Sequence, residues 1–253
     1  MAATSTASAT AITGIDLIGA VVPDIKAAIA FYRDRLGLVP TSPTDGEGAE
    51  FTMNDGITYG LWQPEEPTPQ HYSVMFRVAD ARKAVEAMRA RGGEFTDVME
   101  SPVCYMGFGK DPDGNNVIIH ERKPHGDEPA PHHPTSATSV NGADLYGYFV
   151  SDVQRSLAYY RDVLGIEPTE IDEQARGVEF TLADGSTFGF WRMPDGSKTS
   201  GGFTMFAVDD IDAKITELRE RGVAISPAME TPVCHMAFVD DPFGNTVIVH
   251  KHK

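Results

Sequence analysis

The chain has 253 residues, 41% of them hydrophobic and 9% aromatic, and a formal net charge of −16. Its composition is that of a globular protein, and its length suits one large or two ordinary domains. The acidic balance argues against nucleic acid and anionic membrane surfaces as partners, because both require a cationic footprint. No apolar run approaches the roughly 20 residues that span a bilayer, and no secretion signal is recognisable. The two cysteines occupy matching places in an internal repeat, which indicates thiols in a reducing cytoplasm.

The repeat has an offset of about 130 residues and covers most of the chain. The matching segments are 16–41 with 144–169, 48–62 with 177–191, 74–93 with 204–223, and 101–123 with 231–253. Residues 1–13 are interpreted as a disordered tail, and residues 123–141, rich in proline and histidine, as a linker. We therefore predict one domain over 14–122 and a second over 142–253.

Each copy begins with the same predicted elements. In the first copy an apolar strand over 15–22 leads to Asp24, a good N-cap for a helix that ends at Gly37. Two short strands follow, and Asp55-Gly56 favours a tight hairpin between them. The second copy repeats these signals at Asp152, Gly165 and Asp184-Gly185.

The same order of elements then starts again within each copy. A strand over 72–78 leads to a helix that begins at Asp80 and ends near Gly92, and strands are predicted around 94–109 and 115–121. Each copy therefore contains two β-α-β-β-β units. The sequence predicts an α+β fold of two similar domains.

Two repeated motifs carry a family resemblance. AFYRDRLG (30–37) and AYYRDVLG (158–165) lie on the first helix of each copy, and DPDGN (111–115) and DPFGN (241–245) precede the last strand. With the tandem order, they resemble the vicinal oxygen chelate superfamily, which includes glyoxalase I, bleomycin-resistance proteins and extradiol dioxygenases. The resemblance implies two tandem glyoxalase-like domains, each with two βαβββ units that form a curled mixed sheet around a ligand-holding cup. It also implies a monomer that resembles a fused dimer.

The resemblance marks six positions for metal ligands. Enzymes of the superfamily typically hold a divalent metal with His, Gln or Glu side chains that project into the cup. Counted from the motifs, the equivalent positions here are Leu17, Ser73, Ile118, Leu145, Phe203 and Ile248. Apolar side chains cannot bind such an ion, and one serine is not enough. We therefore predict no divalent metal at the family's positions, and the cofactor is left unknown.

Strand alternation suggests a substitute set of catalytic candidates. If Ile118 faces the cup, so does His120, and Glu50 lies on a polar strand face; Glu179 and His250 are their counterparts. A carboxylate near an imidazole would suit proton abstraction beside a carbonyl, or two ligands of a relocated metal site. The alternative, in which these histidines are solvated strand ends and the glutamates are satisfied by water, stays open.

A second group of residues consists of candidates for ligand binding. Trp62 and Trp191 end matching strands and would form an aromatic wall or cap the core. Methionines adapt to varied ligands, and a cysteine can act as a nucleophile, although a buried small hydrophobe is the alternative. His235 breaks the symmetry of the repeat, although it points to the strand face opposite Cys234. The full set is Trp62, Met75, Cys104, Trp191, Met205 and His235.

Two functions from different classes remain after the sequence analysis. One is an enzyme, a lyase, isomerase or dioxygenase-like protein, that acts on a small oxygenated organic molecule with the usual metal ligands lost. The other is a metal-free protein that binds or sequesters a planar or hydrophobic compound, as bleomycin-resistance proteins do. Both require a small-molecule partner, and the sequence specifies neither substrate nor reaction.

Overall fold

The computed structural model describes residues 9–42, 44, 46–65, 72–123, 140–172, 174, 176–198 and 201–253. Most of the predicted tail and of the predicted linker lies outside these ranges. The described strands are β1 (Gly14–Val21), β2 (Gly48–Thr52), β3 (Thr58–Trp62), β4 (Tyr72–Arg77), β5 (Met99–Glu100), β6 (Cys104–Lys110), β7 (Asn116–Arg122), β8 (Gly142–Phe149), β9 (Glu170–Ile171), β10 (Gly177–Thr181), β11 (Thr187–Trp191), β12 (Gly202–Ala207), β13 (Met229–Glu230), β14 (Cys234–Asp240) and β15 (Thr246–His252). The α-helices are α1 (Ile25–Ala30), α2 (Ala81–Ala90), α3 (Val153–Ala158) and α4 (Ile211–Glu220).

The strands form two mixed sheets, one from each copy of the repeat. Their orders are β2-β3-β1-β4-β7-β6-β5 and β13-β14-β15-β12-β8-β11-β10-β9. In the first, β1 runs parallel to β3 and antiparallel to β4, and β4 runs parallel to β7. The second repeats this pattern around β8, β12 and β15. The predicted α+β fold of two tandem domains is confirmed; below, domain 1 contains β1 to β7 and domain 2 contains β8 to β15.

The helices begin where the sequence predicts. The carboxylates of Asp24 and Asp80 accept hydrogen bonds from the backbone N–H groups of Ala27 and Lys83, and Asp152 and Asp210 cap α3 and α4 in the same way. Two segments, Phe31–Arg35 and Tyr159–Leu164, continue α1 and α3 as π-helix. Gly37 and Gly165 follow with φ of 80° and 77°, a conformation that favours glycine. In the described part of the chain, no helix is long and apolar enough to cross a membrane.

One predicted strand differs from the structure. Residues 94–109 do not form a single strand but divide into β5, β6 and an isolated bridge between Phe95 and Gly109. The physical reason is Pro102, which lacks the N–H that a strand needs. The side chain of Ser101 accepts hydrogen bonds from the backbone N–H groups of Val103 and Cys104 and makes the turn into β6.

The two domains share one hydrophobic core. It contains alternate residues of both sheets together with the apolar faces of the helices. Aromatic rings meet within it across the domain boundary: Tyr59 and Phe206 have centroids 5.5 Å apart, and Phe76 and Phe188 5.2 Å. The other face of each sheet, called the cup face below, carries the remaining strand residues and includes the candidate site.

Candidate functional site: two cups and two carboxylate–histidine pairs

The cup face of domain 1 has an apolar row where the family resemblance marks metal ligands. Leu17 on β1 pairs with Met75 on β4, and Met75 pairs with Ile118 on β7. Ser73 lies two residues before Met75 on β4, where its Oγ accepts a hydrogen bond from the Asn116 amide at 3.3 Å. Met75, rather than Ser73, therefore completes the row with Leu17 and Ile118.

In domain 2 the same place is filled by a second hydrophobic cluster. Leu145, Phe149, Phe203 and Ile248 are all buried there, and the rings of Phe149 and Phe203 have centroids 5.0 Å apart. Partly buried side chains surround them: Trp191, Met193, Met205, Met236 and Phe238. Carbon side chains offer no lone pairs to a hard or borderline cation. The side chains of Leu145, Phe203 and Ile248, like those of Leu17 and Ile118 in domain 1, therefore offer no ligand to a divalent metal.

The indole of Trp62 covers a row of three glycines on neighbouring strands. A Cβ at Gly19, Gly48 or Gly60 would approach an atom of the indole ring to 2.3, 2.9 and 2.5 Å. Such distances are shorter than van der Waals contact, so only glycine admits the ring in this position. In domain 2 the indole of Trp191 covers two glycines in the same way, Gly177 and Gly189.

The two cups differ at two positions beside these tryptophans. In domain 2, Phe203 covers the remaining glycine, Gly147, whose Cβ would approach the phenyl ring to 2.4 Å. Ser73 takes the place of Phe203 in domain 1, since each pairs with the matching glycine of its sheet. At the second position, Val21 pairs with Trp62 in domain 1, whereas the larger Phe149 pairs with Trp191 in domain 2. Aromatic side chains thus fill the cup of domain 2, called cup 2 below. Smaller side chains occupy the same positions in the cup of domain 1, called cup 1.

Glu50 and Glu179 both lie on the cup face and are half-buried. Burial raises the pKa of Glu179, the charge of Glu170 raises it further, and His250 opposes the shift. The structure therefore brings Glu179 and His250 within electrostatic range of each other.

Each candidate histidine is bonded to an aspartate that the sequence analysis did not single out. Nδ1 of His120 lies 2.6 Å from Oδ2 of Asp16, and Nδ1 of His250 lies 2.6 Å from Oδ2 of Asp144. The register of β1 against β4 shifts between Ile15 and Leu17, and the register of β8 shifts equivalently around Asp144. Such a bulge re-aims a side chain, and here it brings each aspartate to its histidine.

A signal for these aspartates was present in the sequence. Asp16 and Asp144 are matching carboxylates within strands that are otherwise apolar. A carboxylate in such a place needs a polar partner, because burying an unpaired charge is costly. Asp16 and Asp144 share with Glu50 and Glu179 the same feature, a repeated carboxylate flanked by apolar residues.

The surroundings of the two pairs differ. In domain 1, Nε of Arg77 lies 2.6 Å from Oδ1 of Asp16, and Nε of Arg122 lies 3.5 Å from it. Burial raises the pKa of Asp16, but the hydrogen bonds of His120 and Arg77 outweigh it, and the net pKa is below the usual value. In domain 2 the places of the two arginines are taken by Ala207 and His252.

The two cysteines lie beside these pairs, since Cys104 on β6 pairs with Arg122 on β7 and Cys234 on β14 pairs with His252 on β15. Cys104 and Cys234 are free and buried, and their sulfur atoms lie 3.1 Å from the hydroxyls of Ser101 and Thr231. His235 lies on the helix side of β14, on the same face as the core residue Ala237. The structure therefore does not bring His235 together with the cup-face residues.

A cleft of about 720 Å³ separates the ends of the two sheets. The hairpin turns of both domains border it; the Asp55 carboxylate accepts a hydrogen bond from the N–H of Ala143 at 2.8 Å, and Arg77 contacts Asp184 at 3.2 Å. Asp16 and Asp144 open onto this cleft from opposite domains. The lining residues are Ile15, Asp16, Asp55, Gly56, Ile57, Arg77, Arg122, Ala143, Asp144, Asp184, Gly185, Ser186, Thr187 and His252.

Comparison with known proteins identifies the family. The Glyoxalase/Bleomycin resistance protein/Dioxygenase superfamily matches residues 14–119 and again 142–249. The chain belongs to this superfamily, as a member with two tandem glyoxalase-like domains. No curated protein matches it.

Solved structures share the fold over almost the whole chain. The 2,3-dioxygenase LapB from Pseudomonas sp. KL28 has a TM-score of 0.70 at 17% identity, over 96% of this chain and 95% of that one. Homoprotocatechuate 2,3-dioxygenase from Arthrobacter globiformis has a TM-score of 0.70 at 16% identity, over 97% and 81%. The Mn(II)-bound glyoxalase from Novosphingobium aromaticivorans has a TM-score of 0.67 at 18% identity, over 95% and 82%. At these identities the likeness concerns the fold alone.

Proposed function

We propose that the protein binds a small planar or apolar molecule in cup 1, against Trp62, without a metal at the family's positions. The observation that carries this proposal is the difference between the cups. Phe203 and Phe149 fill the space beside Trp191 in cup 2. The matching positions beside Trp62 in cup 1 carry the smaller side chains of Ser73 and Val21. An indole held on a glycine row offers an aromatic wall whose position is fixed before a ligand binds.

The apolar row of cup 1 supports the same conclusion. Leu17, Met75 and Ile118 would contact a bound molecule through carbon and sulfur, and methionine adapts to ligands of varied shape. Binding sites for small molecules combine such apolar walls with a few polar groups. Here Ser73, Asn116 and Glu50 lie on the same cup face and would supply them.

The test exchanges the residue that distinguishes the cups. Ser73→Phe gives cup 1 the aromatic side chain of cup 2, and Phe203→Ser, the matched control, opens cup 2. Calorimetric titration with 1-naphthol and with catechol measures binding, and tryptophan quenching in Trp191→Phe reports on Trp62 alone, since the chain has two tryptophans. We expect Ser73→Phe to weaken binding at least tenfold, or about 1.4 kcal/mol, and Phe203→Ser to retain it. Equal affinity in Ser73→Phe, or no binding of either probe by the parent protein, would contradict the proposal.

The Asp16–His120 pair favours a second function, enzymatic proton transfer on a small oxygenated molecule in the same cup. An aspartate bonded to Nδ1 orients an imidazole and leaves Nε2 as the nitrogen for a bound molecule. Lyase and isomerase reactions that remove a proton beside a carbonyl need such a base. The rate of turnover of a candidate hydroxy-carbonyl substrate against pH tests it: activity that is unchanged in His120→Asn removes this function.

A further inference from the structure

We propose that Asp144, His250 and His252 form a site for one divalent first-row transition ion, such as Zn²⁺ or Co²⁺. The site is separate from the family's metal positions and independent of the ligand proposed for cup 1. It lies at the end of β15, where Asp144 and His252 line the cleft between the domains.

The geometry of the donor atoms carries the proposal. One ligand atom from each of the three side chains lies within 4.8 Å of the others. Oδ2 of Asp144 is 2.6 Å from Nδ1 of His250 and 3.9 Å from Nε2 of His252. Bonds of 2.0–2.2 Å to a tetrahedral ion place neighbouring donors about 3.3–3.6 Å apart. The two distances from Asp144 would therefore change by about 1 Å or less and the distance between the histidine donors by at most about 1.5 Å, and the exposed His252 side chain has room to move.

The chemistry of the donors fits the same class of ion. Two imidazoles and a carboxylate suit zinc, cobalt and nickel better than they suit Mg²⁺ or Ca²⁺, which prefer oxygen ligands. Metal binding would take the place of the hydrogen bond between Asp144 and His250, and His250 would bind through Nδ1 as a neutral imidazole with its proton on Nε2. The open side of the site faces the cleft and leaves a coordination position for water or a bound molecule.

Domain 1 contains the same pair in a form that cannot bind a metal. Asp16 and His120 are arranged as Asp144 and His250 are, but Arg77 and Arg122 stand where domain 2 has Ala207 and His252. Two guanidinium groups satisfy the Asp16 carboxylate and would repel a cation. The chain thus offers an internal control, because two neighbouring residues distinguish the ion pair of Asp16 and His120 from the proposed ligand set of domain 2.

The test transfers these neighbours between the domains. Tag-free protein is stripped with a chelator and titrated with Zn²⁺ by calorimetry and with Co²⁺ by visible absorption. The variants are His252→Ala, the double variant Ala207→Arg/His252→Arg, and His120→Ala as the control in domain 1. We expect one ion per chain in the parent protein and in His120→Ala. Removal of a ligand should weaken binding at least 100-fold, since even outer-shell partners are worth 10- to 100-fold.

Two further outcomes decide the proposal. If zinc binds equally well to the parent, to His252→Ala and to the double variant, it is an adventitious ion only, held by other histidines of the chain, and the proposal is wrong. Absence of binding to the parent protein also overturns it. The reciprocal variant Arg77→Ala/Arg122→His gives domain 1 the two residues that stand beside the pair in domain 2. Binding of a second ion per chain by this variant would support the proposed ligand set.

Discussion

Tyr32 of domain 1 donates a hydrogen bond to Asp241 of domain 2, with 3.1 Å between Oη and Oδ2. The reverse contact joins Tyr160 of domain 2 to Asp111 of domain 1 at 3.2 Å. Each tyrosine belongs to the Y-R-D motif on the first helix of its domain, and each aspartate opens the D-P-x-G-N turn of the other domain. The two motifs that carry the family resemblance are therefore partners across the domain boundary.

Removal of one of these tyrosine hydroxyls should destabilise the protein. Tyr160→Phe leaves Asp111 with one bond fewer in a buried place, and we expect the free energy of unfolding to fall by about 1–2 kcal/mol. The neighbouring Tyr159 is the matched control, because its buried hydroxyl has no hydrogen-bond partner in the described part of the chain. Tyr159→Phe should change stability by less than about 0.5 kcal/mol. Urea unfolding of both variants measures the difference, and equal effects would contradict this role for the hydroxyl.

The Asp16 pair should give the protein a stability that depends on pH. Although burial raises the pKa of Asp16, His120 and Arg77 bring it below the usual 3.8. An acid whose pKa is lower in the folded state binds fewer protons there. Its contribution is therefore complete above pH 3.8 and is lost as the pH falls through the folded value.

The variant Asp16→Asn tests this contribution. At pH 7 we expect its free energy of unfolding to be about 3 kcal/mol lower than that of the parent protein, because the substitution breaks a buried charge pair. The gap should narrow below pH 3.8, where the parent loses the same contribution. Asp34→Asn is the control, since Asp34 pairs with Arg33 on the surface and should change little. Urea midpoints across this pH range provide the measurement, and a gap that stays constant down to pH 2 would refute the linkage.

The sequence predicted the helices and strands well, but it did not predict which residues of the candidate site are bonded to each other. The N-cap at Asp24 and the turn at Gly37 depend on local chemistry, so periodicity and capping rules were enough. The partner of His120 depends on a bulge that shifts β1 against β4, and such a register shift is set by packing between strands that are distant in sequence. Strand alternation placed Glu50 on the cup face but could not show that Asp16 is the residue bonded to His120.

The glycine row under Trp62 predicts a further effect on stability. In Gly60→Ala the new Cβ would approach Cη2 of the indole to 2.5 Å, so the ring must move. Overpacking of this kind reduces the free energy of unfolding by about 1–3 kcal/mol and should alter tryptophan fluorescence in Trp191→Phe. Gly46→Ala is the control, because a Cβ there meets nothing within 4 Å. If both alanine variants keep the parent's fluorescence and stability, the indole does not rest on these glycines in solution.

The shared core predicts how the two domains behave when they are separated. Tyr59 contacts Phe206 and Phe76 contacts Phe188 across the boundary, so each isolated domain would expose aromatic surface that the intact chain buries. Exposed patches of this kind drive association. We expect chains cut between residues 124 and 139 and produced separately to aggregate or self-associate, and co-expressed halves to purify as a 1:1 complex. The intact chain, which already supplies both surfaces, should be a monomer by light scattering. Soluble, monomeric and fully folded single domains, or an obligate dimer of the intact chain, would show that the core between the domains is not what holds them together.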